Sequence, residues 1–143
     1  MTTRPHPSIP VTSDAELTER WRALLQLDGP PSQRRLFLTW LRADGTMVPL
    51  LVPVEELPLE PDREAIGNIA GLHAVVAESE DVDPADLHLA MCLERPRPTA
   101  DDDAWCAAIN SIIRGRDGLD CSLHLGDGRT AVSVLPRRGW PAG

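Results

Sequence analysis

The stretch Leu87–Ile113, LHLAMCLERPRPTADDDAWCAAINSII, does most to limit what this chain can become. Residues 87 to 94 form a short apolar run suited to a buried strand. Pro96 and Pro98 then stiffen a loop, and Asp101, Asp102 and Asp103 open a helix at about 101 to 115. In that helix Trp105, Ala108, Ile109, Ile112 and Ile113 fall on one face. Carboxylates in a first turn complement the positive end of the helix dipole, and Thr99 or Asp101 has the side chain to cap it. Gly115 and Gly118 end it.

The rest of the chain supplies a sheet and its covers. Residues 1 to 12 hold prolines and no apolar period, so they read as a flexible N-terminal lead-in. Ser13 followed by Glu16 is a capping box, and Leu17, Trp21, Leu24 and Leu25 recur at helical spacing, which gives an N-terminal helix over 13–28. Asp28-Gly29-Pro30-Pro31 breaks it. RLFLTWLRADGTMVPLLVPV reads as strands at about 35 to 42 and 46 to 54 around Ala43-Asp44-Gly45, with Pro49 and Pro53 making the second an edge or irregular strand. A helix at about 62 to 79 carries Ile66, Ile69, Ala70, His73, Val76 and Ala77 on one stripe, while Gly67 and Gly71 lie beside it and suit a close approach to a sheet. LDCSLHL and TAVSVLP flank Gly126-Asp127-Gly128 as a closing hairpin. The order α, β, β, α, β, α, β, β requires crossovers over a mixed sheet. We therefore expect an α/β fold, a three-layer α/β/α sandwich with a mixed central sheet. It forms one domain over 13–136, with its core at 35–135 and a flexible C-terminal tail at 137–143.

Composition narrows the function. A net charge of −8 opposes general binding to nucleic acid, whose affinity comes largely from neutralised phosphates. All 14 basic residues are arginine, which excludes a Schiff-base lysine. Cys92, Cys106 and Cys121 are odd in number and lack Cys-x-x-Cys spacing, so they read as buried thiols. No apolar run has the length of a membrane span, and the first residues lack the apolar segment of a signal peptide; the expectation is a soluble, cytoplasmic protein. The acidic run ESEDVDPAD lacks the ligand alternation and central glycine of a calcium loop.

Other residue groupings offer little for chemistry. His73, His88 and His124 do not make convergent pairs with Cys92 or Cys121, because four residues along a strand preserve a face and three invert it. Ser122 and Ser133 lack a nucleophile-elbow setting. Cys106 stands near a helix start, but the apolar face beside it favours a quiet thiol. Arg95 and Arg97 either pair with the aspartates or face outward toward a carboxylate or phosphate. Arg137, Arg138 and Trp140 are of the types enriched at interface hot spots.

LRADGTMV, PDREAIGNI, LAMCLERPRPTADDDAW and LDCSLHLGDGRTAVSVL, over about residues 36 to 135, together resemble the JAB/MPN metalloprotease-like domain, in particular its RadC-like branch. The resemblance implies a strand ending in His-x-His-Pro, a loop, and a serine followed three residues later by aspartate at a helix start. With Pro96 set on the motif proline, Leu93 and Arg95 take the histidine positions, Ala100 takes the serine and Asp103 the aspartate. A leucine and a guanidinium cannot ligate zinc, and a catalytic zinc needs about three protein ligands. Glu55 and Glu56 match the catalytic glutamate, but with no metal-bound water it has nothing to activate.

The resemblance so altered implies a catalytically inactive RadC-like domain, without metal or other cofactor, acting as a protein-interaction or regulatory module, and it admits a homodimer. Two alternatives stand beside it: an anion-binding domain using Arg95 and Arg97 in the former metal cleft, and a non-metal enzyme using Cys106 or a carboxylate pair.

Overall fold

Strand alternation sorts the sheet into two unlike faces, and the helices follow that division. We describe residues 9–26 and 31–140 from a computed structural model of the chain. The elements run α1 (Asp14–Gln26), β1 (Arg35–Leu41), β2 (Val52–Val54), α2 (Arg63–Ser79), β3 (His88–Glu94), α3 (Asp101–Ile109), a π-helical segment (Asn110–Arg116), β4 (Cys121–Gly126) and β5 (Ala131–Leu135). The five strands pair in the order β2-β1-β3-β4-β5. Only β3 and β4 are parallel, and the parallel step is the one that needs a crossover, which α3 provides.

Leu36, Leu38 and Trp40 of β1, Leu89, Met91 and Leu93 of β3, and Leu123 of β4 point to one face. There they pack on Ile66, Ile69 and Val76 of α2 and on Trp105, Ile109, Ile112 and Ile113. The alternate residues Phe37, Leu41, Ala90 and Cys92 meet Leu17, Trp21 and Leu25 of α1 on the other face. That second face also buries His88, Glu94, Ser122 and His124. The α1 helix sits on β4 and β5 of its own chain. Gly126 permits this: a Cβ there would lie 2.8 Å from Leu25 Cδ1 and 3.2 Å from Cys92 Sγ.

Five sequence expectations change. The strand expected at 46 to 54 shrinks to Val52–Val54, with a lone bridge between Leu41 and Met47. Pro49 interrupts the ladder, and the chain turns so that Leu50 N donates to Val48 O at 2.7 Å. The helix expected to 115 is α-helical to Ile109 and widens after it, with Asp117 N donating to Ile112 O. Residues 9–12 are anchored rather than a loose lead-in, since Val11 is buried and its N–H donates to Gly45 O at 2.8 Å. Gly45 has φ +88°, and a Cβ there would fall 2.5 Å from Val11 O. Of the tail expected over 137–143, Arg137 and Trp140 are pinned, as described below. Finally, Gly67 and Gly71 do not bring α2 to the sheet: a Cβ at Gly67 meets Arg116, and one at Gly71 meets nothing within 4 Å. The breaker Asp28-Gly29-Pro30, residues 1–8 of the expected lead-in and residues 141–143 of the expected tail lie outside the described residues.

The first helix starts as expected. Ser13 Oγ accepts from Glu16 N at 3.2 Å, while the Glu16 carboxylate reaches Thr12 N and Oγ1.

Candidate functional site

The end of β3, where the resemblance would set a metal motif, is closed by an ion-pair network. Leu93 is fully buried in the core, so its position holds an apolar anchor. Two residues on and therefore on the same face, Arg95 leaves the strand with its guanidinium turned inward. Arg95 Nε donates to Asp102 Oδ2 at 3.0 Å and Nη1 to Gly126 O at 2.9 Å, while Arg95 N also donates to Gly126 O. One side chain thus ties the ends of β3 and β4 to the start of α3.

Asp102 is the hub of this network. Its Oδ2 accepts from Thr99 N at 3.1 Å and its Oδ1 from Thr99 Oγ1 at 3.2 Å. The Thr99 hydroxyl in turn accepts from Arg34 Nη2 at 2.8 Å, and the same nitrogen lies 3.7 Å from Asp102 Oδ1. Arg34 Nη1 donates to Leu59 O, which also accepts from Trp105 Nε1 at 2.9 Å. Arg34, Arg95 and Asp102 are all largely buried, so the two cations and one anion face each other away from water.

This geometry revises the positions read from sequence. Ala100 is exposed, precedes α3 without a side-chain cap, and takes no part in the network. Asp103 is exposed as well. The hydroxyl and aspartate that meet are Thr99 and Asp102, the same spacing one residue earlier. Neither Thr99 nor Asp101 caps the helix through its side chain; Asp102 instead reaches back from the first turn to accept the Thr99 N–H. Arg34 was missed by sequence reading, since an arginine just before a strand carries no pattern that distinguishes it from its neighbour Arg35.

Arg95 therefore faces inward, whereas Arg97 is exposed. Glu55 and Glu56 are exposed on the segment after β2, and Glu56 takes a left-handed backbone with φ 59°. Among the described residues, no three His, Cys, Asp or Glu side chains gather as a metal-binding group. Cys92, Cys106 and Cys121 are free thiols. Burial, aided by Asp102 and Asp103, pushes the Cys106 thiol up to about 11, which keeps it protonated at neutral pH.

A second polar cluster lies under α1, and the sequence signal for it is a period of two. Asp120, Ser122 and His124 alternate along one side of β4, and His88 stands on the neighbouring β3. His88 Nε2 is 2.9 Å from Ser122 Oγ, and its Nδ1 lies 3.0 Å from Asp120 Oδ2 without hydrogen-bond alignment. Thr18 Oγ1 donates to Asp14 O, so His124 Nε2 must be the donor in its 2.7 Å contact with Thr18 Oγ1. Burial holds the His124 imidazole down at about 4, and burial likewise lowers His88 against the pull of Asp120. Ser122 and His88 are wholly buried, so this Ser-His-Asp grouping gives a substrate no access. Likewise His73 is built in: Nδ1 accepts from Trp40 Nε1 at 3.2 Å, which leaves Nε2–H to donate to Pro84 O.

The tail residues close this cluster. Arg137 Nε donates to Asp120 Oδ2 at 2.9 Å and Arg137 N to Asp14 Oδ1 at 3.1 Å. Its guanidinium carbon stands 4.9 Å from the centre of the Trp140 ring, which lies 6.2 Å from the His88 ring. Arg138 alone of the three candidate interface residues is exposed.

No described helix is long and apolar enough to cross a membrane. Comparison with protein-family models, with curated proteins and with solved structures gave no match.

Proposed function

We propose that this domain is a catalytically inactive JAB/RadC-like module that works by binding a protein. The observation that carries the reading is the Arg95–Asp102 pair. At the strand-loop-helix junction where the resemblance calls for a cation held by histidines, the chain has its own guanidinium, bound to its own carboxylate. A fixed internal cation of this kind holds the junction together, but it has no open coordination position and cannot lower the pKa of a water. The mixed α/β architecture with a five-stranded sheet is compatible with this reading.

A buried arginine that is hydrogen-bonded to an aspartate and a carbonyl is not free to recognise an outside anion, which disfavours the anion-binding alternative at this cleft. The raised Cys106 pKa and the inaccessible Ser122 disfavour a non-metal enzyme. Acidic surface and exposed apolar side chains such as Leu59, Val75 and Val132 favour a partner with basic and apolar patches. The test is a pull-down with purified protein against its native lysate, paired with zinc analysis and a peptide and isopeptide hydrolysis assay. A specific partner without turnover supports the reading; stoichiometric zinc with turnover defeats it.

A further inference from the structure

Away from both polar clusters, the described residues leave the α1 face of the sheet partly uncovered. Because α1 lies over β4 and β5, the β1–β2 side of that face is walled, among the described residues, by α1 and the segment from Met47 to Glu55. Two adjoining hollows of about 370 and 230 Å³ result, sharing Leu24 and Leu51 in their walls. Their lining is mainly apolar, with Phe37, Leu25, Leu50 and Met47 prominent.

The two ends differ in charge. At one end stands Arg20, about nine-tenths buried. Its Nη2 donates to Ile9 O at 3.0 Å and its Nη1 to Met47 Sδ at 3.0 Å, a weak acceptor. Among the described residues no carboxylate oxygen pairs with it. Glu16, one turn earlier on α1, commits its carboxylate to Thr12. Glu16 acts on Arg20 by charge alone and no described carboxylate touches it, so a ligand carboxylate in contact would relieve part of the cost of burying this cation. At the other end Arg35 is already paired with Glu94, and Glu55 adds a negative charge. A bound anion is therefore drawn to the Arg20 end, with its apolar part running toward Phe37.

We propose that this groove binds a straight-chain aliphatic monocarboxylate, its carboxylate on Arg20 and its chain between Leu24 and Leu51. A peptide fits less well, because its amides would need partners. The groove offers few: Pro49 and Pro53 have no N–H, and Thr39 Oγ1 already donates to Leu50 O at 2.8 Å. The inference stands apart from the protein-binding role and from the Arg95–Asp102 junction.

The test is calorimetric titration of the full chain with sodium octanoate, 1-octanol and a short peptide ending in leucine. Octanoate should bind saturably and at least about ten-fold tighter than octanol, since a charge-assisted pair is worth ~1.5 to 3 kcal/mol. Arg20→Gln should remove that preference for the acid. Leu51 is 41% exposed, so Leu51→Glu should fold normally while weakening octanoate by about ten-fold or more through a like charge in the wall. Octanoate that does not saturate, octanol that binds as well as octanoate, a peptide that binds in preference to both, or octanoate binding unchanged in Leu51→Glu would each overturn the proposal.

Discussion

Asp102 faces two guanidinium groups, while Asp103, one residue on, faces solvent. Removing the charge of Asp102 leaves Arg34 and Arg95 buried without their anion, so Asp102→Asn should cost about 3 to 5 kcal/mol. Asp103→Asn should stay within about 0.5 kcal/mol. Urea denaturation of the two variants measures the difference, and equal effects would contradict the network. The sequence held a signal for this choice that residue type alone concealed. Three adjacent aspartates spread over most of a helix circumference, but Asp102 precedes Trp105 by three and Ile109 by seven, which puts it on the buried stripe. Matching to the family motif pointed to Asp103 instead, because it ranked motif spacing above helical phase. His124 gives a second prediction at this scale. Its folded pKa of about 4 lies below the ordinary imidazole value of 6.5, so the unfolded chain binds the proton first as pH falls. Stability should therefore decline from about pH 6.5 to about pH 4, by order of 3 kcal/mol for this group. Urea midpoints measured across that window should vary less with pH in His124→Gln than in the native chain. Asp127, held below the usual 3.8 by its backbone hydrogen bonds, loses its contribution only below about that pH, and Glu16, held below 4.5, begins to do so only at the acid end of the window.

Helix and strand identities were legible wherever an apolar period was long. The stripes of α1 and α2, the start of α3, and the buried strands β1 and β3 stand within one or two residues of their expected positions. The second strand was not, because Val52 and Val54 suit a strand while Pro49 and Pro53 remove ladder donors, and propensity does not say which effect wins. The widening after Ile109 was also hidden, since Asn110–Arg116 continues the helical pattern and keeps Ile112 and Ile113 buried. Gly71 shows the limit of pattern reading at this scale. A glycine one turn from another suggests close packing, yet the space around it is open. Gly71→Ala should therefore stabilise the protein by about 0.5 to 1 kcal/mol, through a lower entropy of the unfolded chain and better helix propensity. A thermal melt that shows a fall instead would mean that the open side of α2 is covered in solution.

At the scale of the whole molecule, the α/β class follows from the order of elements, and the helices lie on both faces of the mixed sheet. The polar layer under α1 was not legible from that order, because His88, Ser122, His124 and Arg137 come together only when β3 and β4 align in parallel and the tail returns over them. The proposed function rests on the opposite end of the same two strands. There Arg95 pairs with Asp102, and on our proposal this pair stands where a metal centre would. The most direct test is elemental analysis of zinc-exposed, gel-filtered protein, run beside an isopeptide hydrolysis assay on the native chain and on Asp102→Asn. The account predicts zinc far below one atom per chain and no turnover in either. One tightly held zinc per native chain, with turnover that Asp102→Asn abolishes, would contradict it.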